Sequence, residues 1–254
     1  MTAVGDYLEI ELKVRDLFLQ SVAKMMAHKE FMLDAKAPEE LHDFRVGLRE
    51  VRSNLKNLSF LFENKERLRT LLLELAWIDD LISAVRDAAV LNKIVGVKSS
   101  AAYKLLAEAI NSPRGDELFL ELQNFLHNAK MKKRFVRDFL KFAKPLFKHR
   151  YKELKNLARE LNYKKSSDRK LHQIRIATKR VRYLGEVCIR HTPSKKIATK
   201  VAMLIEAQTM LGDYNDLVIA RNWLNANSGD QQLALILQNQ QIEARNLMRA
   251  KLRF

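Results

Sequence analysis

The amino-acid sequence predicts an all-α protein, and three observations lead to this prediction. Seven glycines and four prolines in 254 residues leave little material for turns. Apolar residues recur at the 3.6-residue period of amphipathic helices through long segments. One segment is also duplicated, because Leu41–Leu58 and Leu171–Cys188 share their pattern at an offset of 130 residues. No linker rich in Gly, Ser or Pro separates the copies, so we expect one domain over 1–254, with two halves packed as one body.

The first half, about residues 6–128, is predicted to contain four helices. Proline is tolerated in the first turn of a helix, and glycine is a common residue just after its end, so Pro38 and Gly96 mark boundaries. The predicted segments are Asp6 to about Glu30, Ala37-Pro38 onward through the duplicated motif, Leu68 to about Ile94, and Ser100–Ile110, which resumes after Asn111-Ser112-Pro113-Arg114-Gly115 and runs to His127.

The second half, about residues 130–252, is predicted to repeat this plan. Ser166-Ser167-Asp168 offers side chains that cap the start of a helix, and His191-Thr192-Pro193 ends that helix. The predicted segments are Lys130 to about Leu161, the second motif helix, a helix opened by Pro193-Ser194 that breaks at Asn227-Ser228-Gly229, and Gln231–Leu252.

The duplicated motif places a row of cations beside an apolar face. At about 100° per residue, one arc of roughly 80° on the first motif helix contains only basic side chains, and the adjoining arc is apolar. We call this row the first stripe; it consists of His42, Arg45, Arg49, Arg52 and Lys56. The second stripe consists of His172, Arg175, Lys179 and Arg182, and Glu186 stands in the place of Lys56.

The predicted helix from Lys130 adds further positive charge at the same spacing. Its basic residues are Arg134, Arg137, Lys141, Lys144 and Lys148, followed by Lys152, Lys155 and Arg159. The first helix of the chain carries no comparable row. We therefore expect an asymmetric basic site with larger contributions from the second half.

The overall charge restricts the class of partner. The 46 Lys and Arg residues outnumber the 30 Asp and Glu residues, for a formal net charge of +16. Such a field concentrates anions at the surface, so nucleic acid, an anionic membrane surface and inorganic polyanions are all open. The single cysteine, Cys188, excludes an intramolecular disulfide, and we expect neither a signal peptide nor a transmembrane segment. These features favour the cytoplasm.

A row of charges is usually a solvated helix face, but two features favour a binding site. Solvated faces normally alternate acids with bases, because like charges at i, i+4 repel each other, and the first stripe contains no acid. A solvated face also has no reason to be repeated in the same order. On their own helices, His42 and His172 have no Cys, His or carboxylate at the spacing that metal ligands require. We therefore interpret both histidines as hydrogen-bond donors to an anion.

Carboxylates elsewhere could suggest a metal site, but their pattern favours a supporting role. Asp79, Asp80 and Asp213 have no duplicated acid, whereas Asp87 and Asp216 correspond to each other. We interpret Asp87 and Asp216 as holding a neighbouring Arg or Lys. No phosphate-binding loop, nucleophile elbow or zinc-binding motif occurs, so we expect no metal, no cofactor and no catalytic activity.

The duplicated segments resemble the paired motifs of the CHAD family, the helical domain named for its histidine. The resemblance rests on Leu41-His42-x-x-Arg45-Val46-x-x-Arg49-x-x-Arg52 and Leu171-His172-x-x-Arg175-Ile176-x-x-Lys179-x-x-Arg182, with Val85-Arg86-Asp87 and Leu211-Gly212-x-x-Asn215-Asp216-Leu217 as the second pair. It implies two pseudo-symmetric four-helix bundles around a basic groove or cavity that binds inorganic polyphosphate. The stripes would be the ligands, with Lys141, Lys148 and Arg150 as further contacts. We expect no CYTH catalytic domain beside it.

The sequence therefore predicts a cytoplasmic polyphosphate-binding module, which could associate with polyphosphate granules. Two alternatives stay open at this stage. The same surface could bind nucleic acid or an anionic membrane, although aromatic stacking residues are missing from the stripes except for Tyr183 at the edge of the second. A metal-dependent phosphohydrolase acting on polyphosphate or triphosphate is the other alternative.

Overall fold

The computed structural model describes residues 3–33, 38–161, 167–191, 193–227 and 230–252. Within these residues the chain forms ten α-helices and one short 3-10 turn at Ser59–Leu61. The only β-type pairing among them is an isolated bridge between Phe62 and Met131, so the all-α prediction is confirmed. The helices are α1 (Ala3–Met26), α2 (Pro38–Asn57), α3 (Lys65–Val95), α4 (Ala101–Ile110), α5 (Pro113–Asn128), α6 (Lys133–Arg137), α7 (Phe139–Arg159), α8 (Asp168–His191), α9 (Lys195–Ala226) and α10 (Gln231–Lys251).

The helices form two compact units. The first unit comprises residues 1–86 and 100–142, and the second comprises residues 87–99 and 143–254. The first motif helix, α2, belongs to the first unit, and the second motif helix, α8, belongs to the second. None of the helices in the described ranges combines the length and the apolarity that crossing a bilayer requires.

The first unit is built around the apolar face of α2. The predicted apolar stripe is buried from Phe44 through Leu58, as the helical period requires. Gly47 lets α1 approach closely, because a Cβ at this position would lie 2.8 Å from the Cα of Met25. Aromatic rings fill the space beyond, where the Phe62 centroid lies 5.5 Å from that of Phe18 and 5.0 Å from that of Phe125.

The second unit is built around α8 in the same way. Its helix buries Leu171, Ile174 and Val181 on the face beside the second stripe. Gly185 permits close packing, because a Cβ there would lie 2.5 Å from Val201 Cγ2 and 2.8 Å from Phe147 Cε2. Cys188 is buried on the same helix, and this burial raises the pKa of its thiol to about 11.

Several predicted boundaries are confirmed by the local geometry. Gly96 follows the last residue of α3 with φ of +80°, a conformation that favours glycine. The interruption after Ile110 is shorter than predicted, because Pro113 already starts α5 and the Ser112 hydroxyl accepts from the backbone N–H of Gly115. The Ser167 hydroxyl accepts from the backbone N–H of Lys170 at the start of α8, whereas Ser166, Thr192, Ser228 and Gly229 lie outside the described residues.

The prediction of one continuous helix from Lys130 to Leu161 is wrong. Residues 130–132 instead pair with the segment after α2, since the backbone N–H of Glu63 donates to the carbonyl of Lys130 and the N–H of Lys132 donates to that of Leu61. The chain then forms α6, breaks at Asp138 and continues as α7. The break lies between Phe135 and Phe142, whose rings both pack on Phe60. The predicted row of basic residues is therefore divided between two helices.

Candidate anion-binding site

The first stripe lies at the edge of the buried face of α2. His42 and Lys56 at its two ends are exposed, while Arg45, Arg49 and Arg52 between them are half-buried. A half-buried arginine has part of its side chain packed against neighbouring residues, so fewer rotamers are open to it. The three arginines are consequently more restricted than the side chains of a fully solvated face.

Asp79 of α3 holds two of these arginines. Its Oδ1 accepts from Arg49 Nε at 3.2 Å, and its Oδ2 pairs with Arg52. Arg49 also donates to the Ser83 hydroxyl at 3.3 Å. The Asp79 side chain is 14% exposed. The first stripe itself contains no acid, but Asp79 of the neighbouring helix compensates part of its charge.

The second stripe repeats the same pattern of exposure. His172 is exposed, and Arg175, Lys179 and Arg182 are half-buried. His172 Nδ1 lies 3.3 Å from Asn215 Oδ1 of α9. The interruption by Glu186 has a structural role, because its carboxylate lies 3.5 Å from Arg182 Nε one helical turn away. Arg182 also lies over the Tyr183 ring at 4.5 Å from its centroid.

A small cleft opens at the histidine end of the second stripe. It has a volume of about 230 Å³ and runs between the first turns of α8 and the middle of α9. Two stripe residues, His172 and Arg175, line it together with Arg169. The cleft therefore offers cationic donors in a concave setting, which is the arrangement that an oxyanion requires. The remaining lining residues are Asp168, Leu171, Leu211, Tyr214, Asn215 and Val218.

A polar cluster fixes the start of α8 beside this cleft. Asp168 accepts from Arg221 Nη2 at 2.7 Å, from Arg245 Nη2 at 2.6 Å and from the Tyr214 hydroxyl. Arg245 Nε also donates to the Tyr214 oxygen at 2.8 Å. We call these four residues the Asp168 cluster. The sequence suggested only a helix cap at Asp168, whereas the cluster joins α8, α9 and α10.

The Asp168 cluster perturbs the protonation of its members. Burial alone would raise the pKa of Asp168, but the hydrogen bond from Tyr214 and the charges of Arg221 and Arg245 together lower it below the usual value of 3.8. Burial and the hydrogen bond to Asp168 raise the pKa of Tyr214 to about 12. The carboxylate and the neutral phenol are therefore both stabilised in the folded protein.

The other predicted contacts lie on α7 and are exposed. Lys141 pairs with Asp138 at 2.8 Å, and Arg150 pairs with Glu153 at 2.8 Å. The Arg150 hydrogen bond lowers the pKa of Glu153. Lys148 is also exposed. These residues can contact an anion from solvent. Lys141 and Arg150 would first have to release their carboxylate partners, Asp138 and Glu153.

The two duplicated acids, which both belong to the second unit, occupy similar settings. Asp87 and Asp216 are both half-buried, and both take part in polar or electrostatic contacts. Their holding of a neighbouring cation stays a prediction. Among the described residues, no group of three or more His, Cys, Asp and Glu side chains is arranged to hold a metal ion.

The fold and the stripes define a class of protein: all-helical, with two motif helices that each carry a histidine followed by a row of basic residues. The chain matches the sequence model of the CHAD domain over residues 17–225. The protein therefore belongs to the CHAD domain family, as its motifs predicted.

Two solved structures have the same fold. The crystal structure of the CHAD domain from the plant Ricinus communis is 24% identical in sequence, with a TM-score of 0.71 over 95% of this chain and 88% of that one. PptA from Streptomyces chartreusis is 14% identical, with a TM-score of 0.70 over 95% of this chain and 97% of that one. No curated protein matches the chain in sequence.

Proposed function

We propose that this protein binds inorganic polyphosphate through the first and second stripes, in the cytoplasm, without hydrolysing it. A linear polyanion with a charge at every unit matches a row of cations better than a compact anion does. Membership of the CHAD family supports polyphosphate as the polyanion. The proposal includes the prediction that one polyphosphate chain contacts both motif helices.

The observation that carries this proposal is the matching exposure of the two stripes. In both helices an exposed histidine is followed by three half-buried cations at the same spacing. Solvated helix faces are rich in long, exposed side chains, and nothing requires their exposure to match between distant segments. If both stripes bind the same ligand, their residue types and the exposure of their side chains are expected to match.

The chemistry of the stripes suits phosphate oxygens. Arginine presents a planar fork that can donate two hydrogen bonds to one phosphate, and lysine acts as a mobile point charge. An exposed histidine beside a polyanion is drawn toward its protonated form and becomes a further donor. Binding should release condensed counterions, so the affinity should fall steeply as salt is added.

A titration with long-chain polyphosphate tests the proposal. Wild type is compared with Arg45→Ala/Arg175→Ala at low and at moderate salt, by calorimetry or fluorescence anisotropy. The control is Arg69→Ala/Arg249→Ala, which removes the same charge from two exposed positions outside the stripes. We expect the stripe variant to lose affinity by at least about tenfold per arginine, as for other charged hydrogen bonds to anions, and the control to bind nearly as wild type.

Other results would assign the surface differently. If RNA displaces polyphosphate at equal phosphate concentration, the preference for polyphosphate is wrong and nucleic acid is the ligand. If vesicles of anionic lipid compete equally well, the surface recognises charge alone. Release of phosphate in the presence of Mg²⁺ or Mn²⁺, abolished by Asp216→Asn, would show that the protein is a phosphohydrolase.

A further inference from the structure

The two motif helices pack on their partner helices in the same register. The offset is 130 residues from α2 to α8, and it is 129 from α3 to α9 if Asp216 is aligned with Asp87. With these offsets, Arg49 aligns with Lys179, and its ion-pair partner Asp79 aligns with Gln208. In two antiparallel helices, the numbers of residues that face each other have a constant sum. Lys179 and Gln208 sum to 387, and so do His172 and Asn215, whose side chains are in contact between α8 and α9. This contact therefore supports the register.

Helix α9, which packs on the second stripe, differs from α3 at the two positions that hold Arg49. Gln208 stands at the position of Asp79, and its buried side-chain oxygen has no hydrogen-bond partner among the described residues. Gly212 stands at the position of Ser83, and a Cβ there would meet no atom of the described residues within 4 Å. At these two positions α9 therefore presents a neutral amide and open space where α3 presents a carboxylate and a hydroxyl.

We propose that Asp79 is an internal counter-ion of the first stripe, which competes with the ligand for Arg49 and Arg52. A phosphate must take the guanidinium groups of Arg49 and Arg52 that the Asp79 carboxylate already pairs with. Because this carboxylate is only 14% exposed, displacing its partners leaves a poorly solvated charge.

The first test removes the counter-ion. Asp79→Asn keeps the size of the side chain and one acceptor oxygen but removes the charge. We expect polyphosphate affinity to rise about tenfold, the effect of one unit charge removed at about 4 Å from the ligand at an effective dielectric of about 60, close to that of water. Asp80→Asn is the matched control, because it makes the same change of charge at the next, exposed position of α3.

The second test introduces a counter-ion beside the second stripe. Gln208→Glu is isosteric and places a carboxylate where the register aligns Gln208 with Asp79. We expect affinity to fall about tenfold by the same electrostatic argument. Asn222→Asp, an isosteric change at an exposed position of the same helix, is the control. Thermal unfolding of each variant establishes that it is folded.

The salt dependence separates competition from a general change of charge. If Arg49 and Arg52 become available to phosphate, the slope of log affinity against log salt concentration should steepen by about one for each phosphate newly neutralised. Only Asp79→Asn should show this steeper slope. Binding weaker than wild type in Asp79→Asn would show that the aspartate positions the arginines for the ligand, which overturns the proposal.

The inference rests on the proposed function, but the two can fail separately. If wild type does not bind polyphosphate above the Arg45→Ala/Arg175→Ala variant, the proposed function is wrong. If wild type binds but Asp79→Asn and Gln208→Glu each match their controls, the function stands and the internal counter-ion is wrong.

Discussion

The two units hold the first turns of their motif helices with different chemistry. In the first unit, Glu40 near the start of α2 makes a single contact with His28, at 2.7 Å. In the second unit, the Asp168 cluster binds the start of α8 to α9 and α10 through one carboxylate, two guanidinium groups and a phenol. The two motif helices carry similar cationic rows, whereas the contacts that hold their first turns differ. The following predictions test how far that difference extends.

The largest expected difference lies in the anchoring carboxylates. Asp168→Ala should lower the free energy of unfolding by about 3 kcal/mol, because it leaves two arginines close together without their shared anion. Glu40→Ala should cost less than about 1 kcal/mol, because this carboxylate is about as exposed as Asp168 but makes one ion pair instead of three hydrogen bonds. Urea unfolding followed by circular dichroism measures both. Equal losses would show that the two anchors are equivalent.

The glycines of the motif helices provide the second comparison. Gly47→Ala should destabilise the protein by about 2 kcal/mol, because the new methyl group meets the backbone of α1, which cannot rotate away. Gly185→Ala should cost about 1 kcal/mol, because the buried side chains of Val201 and Phe147 that it meets must repack, whereas no backbone has to move. Gly212→Ala is the control and should be neutral or stabilising by up to about 1 kcal/mol. A larger loss for Gly185→Ala than for Gly47→Ala would contradict this reading of the packing.

The phenol of the Asp168 cluster should make a smaller contribution. Tyr214→Phe should cost about 1 kcal/mol at neutral pH, since it removes hydrogen bonds to Asp168 and Arg245. The folded pKa of Tyr214 is raised from 10.0 to about 12, so its stabilising effect is complete below pH 10 and is lost as the pH rises toward 12. Unfolding measured across this range should show an alkaline decline in wild type that is weaker in Tyr214→Phe.

The smallest effect should appear in acid. The pKa of Asp168 is lowered in the folded protein, so its contribution is complete above 3.8 and is lost as the pH falls through the lower folded value. Asp168→Asn should therefore reduce the acid sensitivity of stability below about pH 4, where it titrates. If Glu40→Gln reduces the acid sensitivity as much, the prediction that Asp168 stabilises its unit more than Glu40 does is wrong.

The positions of the stripes were predictable because they depend on local periodicity. A 3.6-residue spacing places Arg45, Arg49 and Arg52 beside a buried face wherever the helix packs, and Pro38 and Gly96 mark ends through backbone restrictions of their own. The fold class followed from the same local signals. The family resemblance added its ligand assignments, which stay predictions.

The contacts that tune the stripes were not predictable, because they join distant parts of the chain. Asp79 reaches α2 across 27 to 30 residues, and Asp168 reaches Arg245 across 77. No periodicity within one helix shows which acid of a neighbouring helix will oppose which base. The helix start predicted at Lys130 was wrong for the same reason, since residues 130–132 pair through their backbone with residues 61–63.

The buried thiol of Cys188 makes the opening of the second unit measurable in the unmodified chain. Only a thiolate attacks a labelling reagent, and burial with a pKa raised to about 11 suppresses the thiolate in the closed helix. Labelling then proceeds through transient openings of α8, and its rate reports the free energy of those openings. Because Cys188 is the one cysteine of the sequence, the signal belongs to the second unit. Slower labelling in the presence of polyphosphate would give the stabilisation that the ligand confers on that unit alone.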